Sequence, residues 1–107
     1  MLDRQIDRAI DPTAVRGIGY EPTYSGVPSL FRRPFSTTPG DADIAVLGVP
    51  LDLATTNRPG ARFGPRAVRA ASTNLSWDGA SWPWGFDPFL ALQVTDCGDC
   101  FFDPGHP

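Results

Sequence analysis

The sequence predicts an α/β fold with a mainly parallel sheet, expected to be incomplete within the chain. Three observations carry that expectation. Ile44, Ala45, Val46, Leu47 and Val49 form a nearly unbroken apolar run, the pattern of a strand buried on both faces of a parallel sheet. A polar loop follows, and "PRAVRAAS" then reads as a helix with Pro65 in its first turn, where a missing N–H costs nothing. Finally, "LALQVTDCGD" reads as a second strand through Leu90, Leu92, Val94 and Cys97. Strand, loop, helix, loop and strand in that order make a βαβ unit, whose right-handed crossover sets the strands parallel.

Before the first strand, Leu2, Ile6, Ala9 and Ile10 fall at helical spacing, and Asp11-Pro12 ends that short helix. Residues 12–40 are irregular, with turn residues every few positions. Tyr20, Tyr24, Leu30, Phe31 and Phe35 in this segment lack a core of their own. They are expected to pack on the main body or on a neighbouring subunit. In the helix, Val68 and Ala71 are expected to face inward and Arg66 and Arg69 outward, with Asn74 as the stop. The chain thus divides into an arm, residues 1–40, and a first βαβ portion, residues 41–107.

Composition narrows the function classes. The chain has 107 residues, 41% hydrophobic and 20% charged, so it forms at most one domain. Its net charge is −3, and all nine basic residues are arginine. An acidic chain lacks the basic face that phosphate backbones require. No apolar run is long enough to span a bilayer. The opening "MLDRQIDRAIDP" alternates charged and apolar residues, unlike a signal peptide, and cytoplasm is the expected compartment. Two cysteines, Cys97 and Cys100, are too few for a secreted disulfide scaffold and read as reduced, buried thiols.

The loop after the first strand draws the strongest functional reading. In open α/β sheets, ligands bind beyond the carboxyl ends of the strands. Asp52, Thr55, Thr56, Asn57 and Arg58 leave that end and can hydrogen-bond a polar or cationic substrate. The same groups can serve the backbone instead: Asp52 and Thr55 as local acceptor and donor, Arg58 as partner of a carboxylate. "RPGARFGP" sets glycines beside a helix start but matches neither phosphate-binding glycine pattern, and reads as a tight helix entry.

Other candidates read as structural. "CGDC" follows a strand, whereas a redox pair needs a stabilised thiolate, commonly at a helix N-terminus. Asp96 and Asp99 could hold a metal or move a proton, but they also suit capping a turn around Gly98. His106 is the sole histidine and lies next to the last residue. Trp77, Trp82, Trp84, Phe86 and Phe89 could cage a cation, or form an apolar lid or subunit contact.

With these residues laid out, three stretches resemble the N-terminal part of the ureohydrolase superfamily, which includes arginase, agmatinase, guanidinobutyrase and guanidinase. They are "YSGVPSLFRRPF", "ADIAVLGVPLDLATTNRPGARFGPRAVRAAS" and "VTDCGD". The central one is similar to the family's G-[VI]-P-x-D…R-x-G-A-R-x-G-P…R pattern. "WPWGFDPF" resembles agmatinase-like guanidinohydrolases more than arginase proper.

The resemblance implies a three-layer α/β/α fold, commonly assembled as trimers or hexamers. It implies hydrolysis of a guanidino compound to urea and an amine, or ammonia, by water activated on a binuclear manganese or nickel centre. It also implies that Thr55, Thr56 and Asn57 stand at the substrate entrance. The family's metal-binding motifs, Gly-Gly-Asp-His-Ser, Asp-Ala-His-x-Asp and Ser-x-Asp-x-Asp-x-x-Asp-Pro, do not occur in this sequence. Asp96, Asp99 and His106 do not correspond to them, so no catalytic or metal residue is assigned. The chain is therefore expected to be an N-terminal fragment, inactive by itself. The alternative is a non-catalytic short paralogue that associates with a full-length ureohydrolase.

Overall fold

The computed structural model of the chain describes residues 23–75 and 83–106. The expected N-terminal helix and Tyr20, Trp77 and Trp82 lie outside the described residues. The main elements are strand β1 (Ile44–Gly48), helix α1 (Gly64–Ser72), helical turn α2 (Pro88–Ala91) and strand β2 (Val94–Asp99). Short 3-10 turns occupy Leu30–Arg32, Ala61–Phe63 and Thr73–Leu75.

β1 and β2 pair in parallel, as a βαβ unit requires. Ile44 stands opposite Val94, Ala45 opposite Thr95, and Val46 opposite Asp96. The register then slips by one residue, so that Gly48 faces Asp99. Gly98 lies inside the slip with φ at 81°, a conformation that glycine reaches without a Cβ penalty. The arm adds a single bridge on the other side of β2. The Asp96 amide donates to Pro34 O at 2.9 Å, and the Ser36 amide donates to Asp96 O at 3.0 Å.

Two local readings change. Leu90 belongs to α2, not to the second strand, which begins at Val94. The cause is local: Asp87 Oδ1 accepts from the Phe89 amide at 2.9 Å, and Pro88 suits the first turn. Helix α1 stops at Ser72, and Asn74 sits in the 3-10 turn that tightens its end.

The orientation of α1 also differs. Arg66 is exposed as expected, but Val68 and Ala71 are exposed too, while Arg69 turns inward with its side chain only 15% exposed. Arg69 finds two carboxylates and a carbonyl there. Val68 is left 58% exposed.

Where a core should sit, the described residues bury no hydrophobic side chain. Ile44, Leu47 and Val49 of the β1 run are 42%, 55% and 56% exposed. The buried side chains are polar, among them Ser29, Arg32, Arg33, Asp52, Ser72 and Asp96. Close approach at the strand end requires Gly48. A Cβ there would overlap Asp99 Oδ1 and stand 2.9 Å from Pro65 Cβ. Among the described residues no helix is long and apolar enough to cross a membrane.

Candidate functional site

The loop between β1 and α1 leaves the C-terminal end of β1 and is closed by one carboxylate. Asp52 Oδ2 accepts from the Gly60 amide at 2.7 Å and the Arg62 amide at 3.3 Å. Its Oδ1 takes Arg62 Nε and the terminal guanidinium nitrogen Nη2, each at 2.8 Å. The Asp52 side chain is 1% exposed, and that of Arg62 is 53% exposed. Gly60 permits the closure with φ at 138°. The Arg62 hydrogen bond is the main cause holding the Asp52 carboxyl below its ordinary pKa. Burial opposes it, and the Gly60 and Arg62 amides reinforce it.

Of the five loop candidates, Asp52 is therefore turned into the loop. Thr55 Oγ1 donates to Asp52 O at 3.3 Å. Thr56, Asn57 and Arg58 are exposed at the loop tip. The arginine that ties down a carboxylate here is Arg62, where Arg58 had been the candidate.

A second carboxylate group gathers along β2, from Asp96 in its middle to Asp99 at its end. Asp96 is fully buried. Its Oδ1 accepts from Arg69 Nη2 at 3.0 Å and the Gly98 amide at 2.9 Å. Its Oδ2 accepts from Arg69 Nε at 2.8 Å and the Leu30 amide at 2.7 Å. Arg69 further donates to Asp99 Oδ1 at 2.7 Å and to Gly98 O at 2.8 Å. Burial pushes the Asp96 carboxyl up. Arg69 and the Gly98 and Leu30 amides outweigh it, and the net shift is downward. The turn role expected of Asp96 is present in its bond to Gly98. The arginine fork was missed, because Arg69 reads as an outward helix position and its partners lie 27 and 30 residues away.

The remaining candidates stay apart. Cys97 and Cys100 are both half-buried and unbridged. His106 Nδ1 lies 3.4 Å from Asp103 Oδ2 in an exposed turn. Trp84 and Phe86 pair at 6.5 Å between ring centroids, each more than half exposed. Phe89 instead meets Phe31 at 5.1 Å, with the Arg33 guanidinium 4.6 Å over its ring.

The described residues do not fit the binuclear metal centre that the family resemblance implies. They hold no group of three or more His, Cys, Asp or Glu able to bind an ion. Asp52 and Asp96 have both oxygens filled by guanidinium and amide donors, so a cation would have to displace an arginine.

A model of the arginase family matches residues 42–107. Over its whole length the chain is 50% identical to an agmatinase from Chromobacterium violaceum, of which it covers 34%. It is 47% identical over 93 residues to an agmatinase from Edwardsiella ictaluri, an alignment covering 82% of this chain and 31% of that protein. The crystal structure of a hypothetical agmatinase from Burkholderia thailandensis superposes with a TM-score of 0.78 and 53% identity, over 94% of this chain and 32% of that one. The chain spans about a third of the length of these relatives. The match covers the parallel strands, the clasped loop and helix α1, and by it the chain belongs to the arginase family.

Proposed function

We propose that the chain serves as the N-terminal portion of an agmatinase-type hydrolase that cleaves a guanidino compound (agmatine, guanidinobutyrate or guanidine) to urea and an amine or ammonia. The observation that carries this reading is 50% identity to an agmatinase across the whole chain. Residues 1–40 act as an arm, and residues 41–107 supply the first βαβ portion. Thr55, Thr56, Asn57 and Arg58 stand at the substrate entrance.

In this reading the ligands of a binuclear manganese or nickel centre come from residues other than those of this chain. Such a centre, bound by those residues, would supply water activation at neutral pH. The chain's own residues shape the entrance and brace the strand ends, and the chain alone is inactive. The enzyme works in the cytoplasm as a homo-oligomer, with neither nucleic acid nor membrane as partner. The net charge of −3 supports the absence of a nucleic-acid role.

The test is a chimera in which this chain replaces the matching third of the Chromobacterium violaceum agmatinase. With manganese or nickel it is expected to release urea from at least one of the three substrates. A folded chimera that releases none overturns the reading. Urea release by the 107-residue chain alone overturns its inactivity.

A further inference from the structure

Resting on the entrance-loop reading above, we propose that Asp52 and Arg62 are a positioning pair: a clasp that fixes the tip carrying Thr55, Thr56, Asn57 and Arg58 and touches no substrate. Asp52 looks like a substrate ligand in the sequence, because it is an acid at a strand end facing a cationic substrate class. The geometry assigns it elsewhere. Both oxygens already hold two donors each, and the side chain is 1% exposed. A substrate guanidinium would have to displace the one already there.

The clasp acts on both ends of the tip at once. Asp52 precedes the tip, and Gly60 and Arg62 follow it, so one carboxylate joins the chain across it. The Asp52 carbonyl adds Thr55 Oγ1 at 3.3 Å on the entering side. On the leaving side the Phe63 amide donates to Gly60 O at 3.0 Å, which leads directly into α1. Between these anchors, residues 53–59 are all exposed, and Thr55 reaches back to the entering anchor. Their conformation is therefore set at the ends. If the clasp opens, the tip samples many shapes, and apparent affinity falls in proportion to the fraction still competent.

The experiment uses the chimera and measures KM and kcat separately. Asp52→Ala is expected to raise KM about tenfold through the smaller competent fraction, with kcat within about twofold because saturating substrate draws the tip back into its competent shape. Arg62→Ala, whose side chain is half exposed and which is the variant to use if Asp52→Ala does not fold, is expected to give the same rise. Arg62→Lys, which keeps the charge but loses the fork, should fall between. Amide exchange at Gly60 should quicken in both alanine variants.

If Asp52→Ala raises KM while Arg62→Ala leaves it unchanged, Asp52 contacts substrate and the positioning role is overturned. Unchanged KM in both variants overturns it as well. An unsubstituted chimera that folds without activity overturns the functional reading instead. The clasp is then judged by Gly60 exchange alone, and exchange that stays slow in both alanine variants overturns it.

Discussion

A carboxylate shut away from water keeps its charge only when its lone pairs are filled. At Asp96 four donors fill them, and they come from the arm, from α1 and from the turn at Gly98. An asparagine at this position would turn an N–H₂ toward Arg69, setting donor against donor. Asp96→Asn in the chimera is therefore expected to cost about 3–5 kcal/mol, the range for breaking a buried pair, read from the denaturant midpoint. The pH dependence follows from the lowered pKa. The folded-state value lies below the unfolded one, so the stabilisation is complete above the ordinary aspartate range. It is lost as pH falls through the folded value. The gap between parent and Asp96→Asn should be full at neutral pH and narrow in acid, whereas a gap independent of pH would contradict this account.

At the scale of elements, periodicity made the backbone order legible and left side-chain direction obscure. The apolar run at 44–49 marks β1 because few other patterns place Ile, Val and Leu so densely, and Pro65 marks the start of α1. Arg69 could not be placed the same way. A helix one turn past a loop can show either face, and only the position of Asp96 on β2 decides which. The start of β2 is obscure in the sequence because Leu90 and Leu92 alternate like a strand, while the Asp87-Pro88 cap forces a helical turn. The slip in β2 was likewise hidden, although Gly98 is its visible trace. A side chain at Gly98 would carry φ of 81° and stand 3.3 Å from the Phe35 ring. Gly98→Ala is thus expected to lower chimera stability by about 1–2 kcal/mol for the left-handed backbone alone. An unshifted thermal midpoint would show that the slip can be removed freely.

Across the whole molecule, polar knots hold the described parts together while the apolar surfaces lie open. Phe101 is 98% exposed, Tyr24 88% and Leu90 62%. Open apolar area of this kind favours association, and a sheet of two strands cannot cover its own faces. The 107-residue chain alone is expected to bind an environment-sensitive apolar dye and to sediment as aggregates. A monodisperse monomer with a cooperative thermal transition would contradict that. Tyr24 and Phe35 of the arm, which the sequence leaves without a core of their own, are among these open surfaces. The two arginine clasps gave no comparable signal, because each joins residues that only the folded chain brings together.

The proposal that this chain is one working part of an agmatinase-type hydrolase is tested by urea release, measured side by side from three samples with manganese or nickel and the guanidino panel. They are the chain alone, the Chromobacterium violaceum agmatinase without its matching third, and the chimera that joins the two. Urea is expected from the chimera and from neither separate part. A folded chimera as silent as its parts would contradict that proposal.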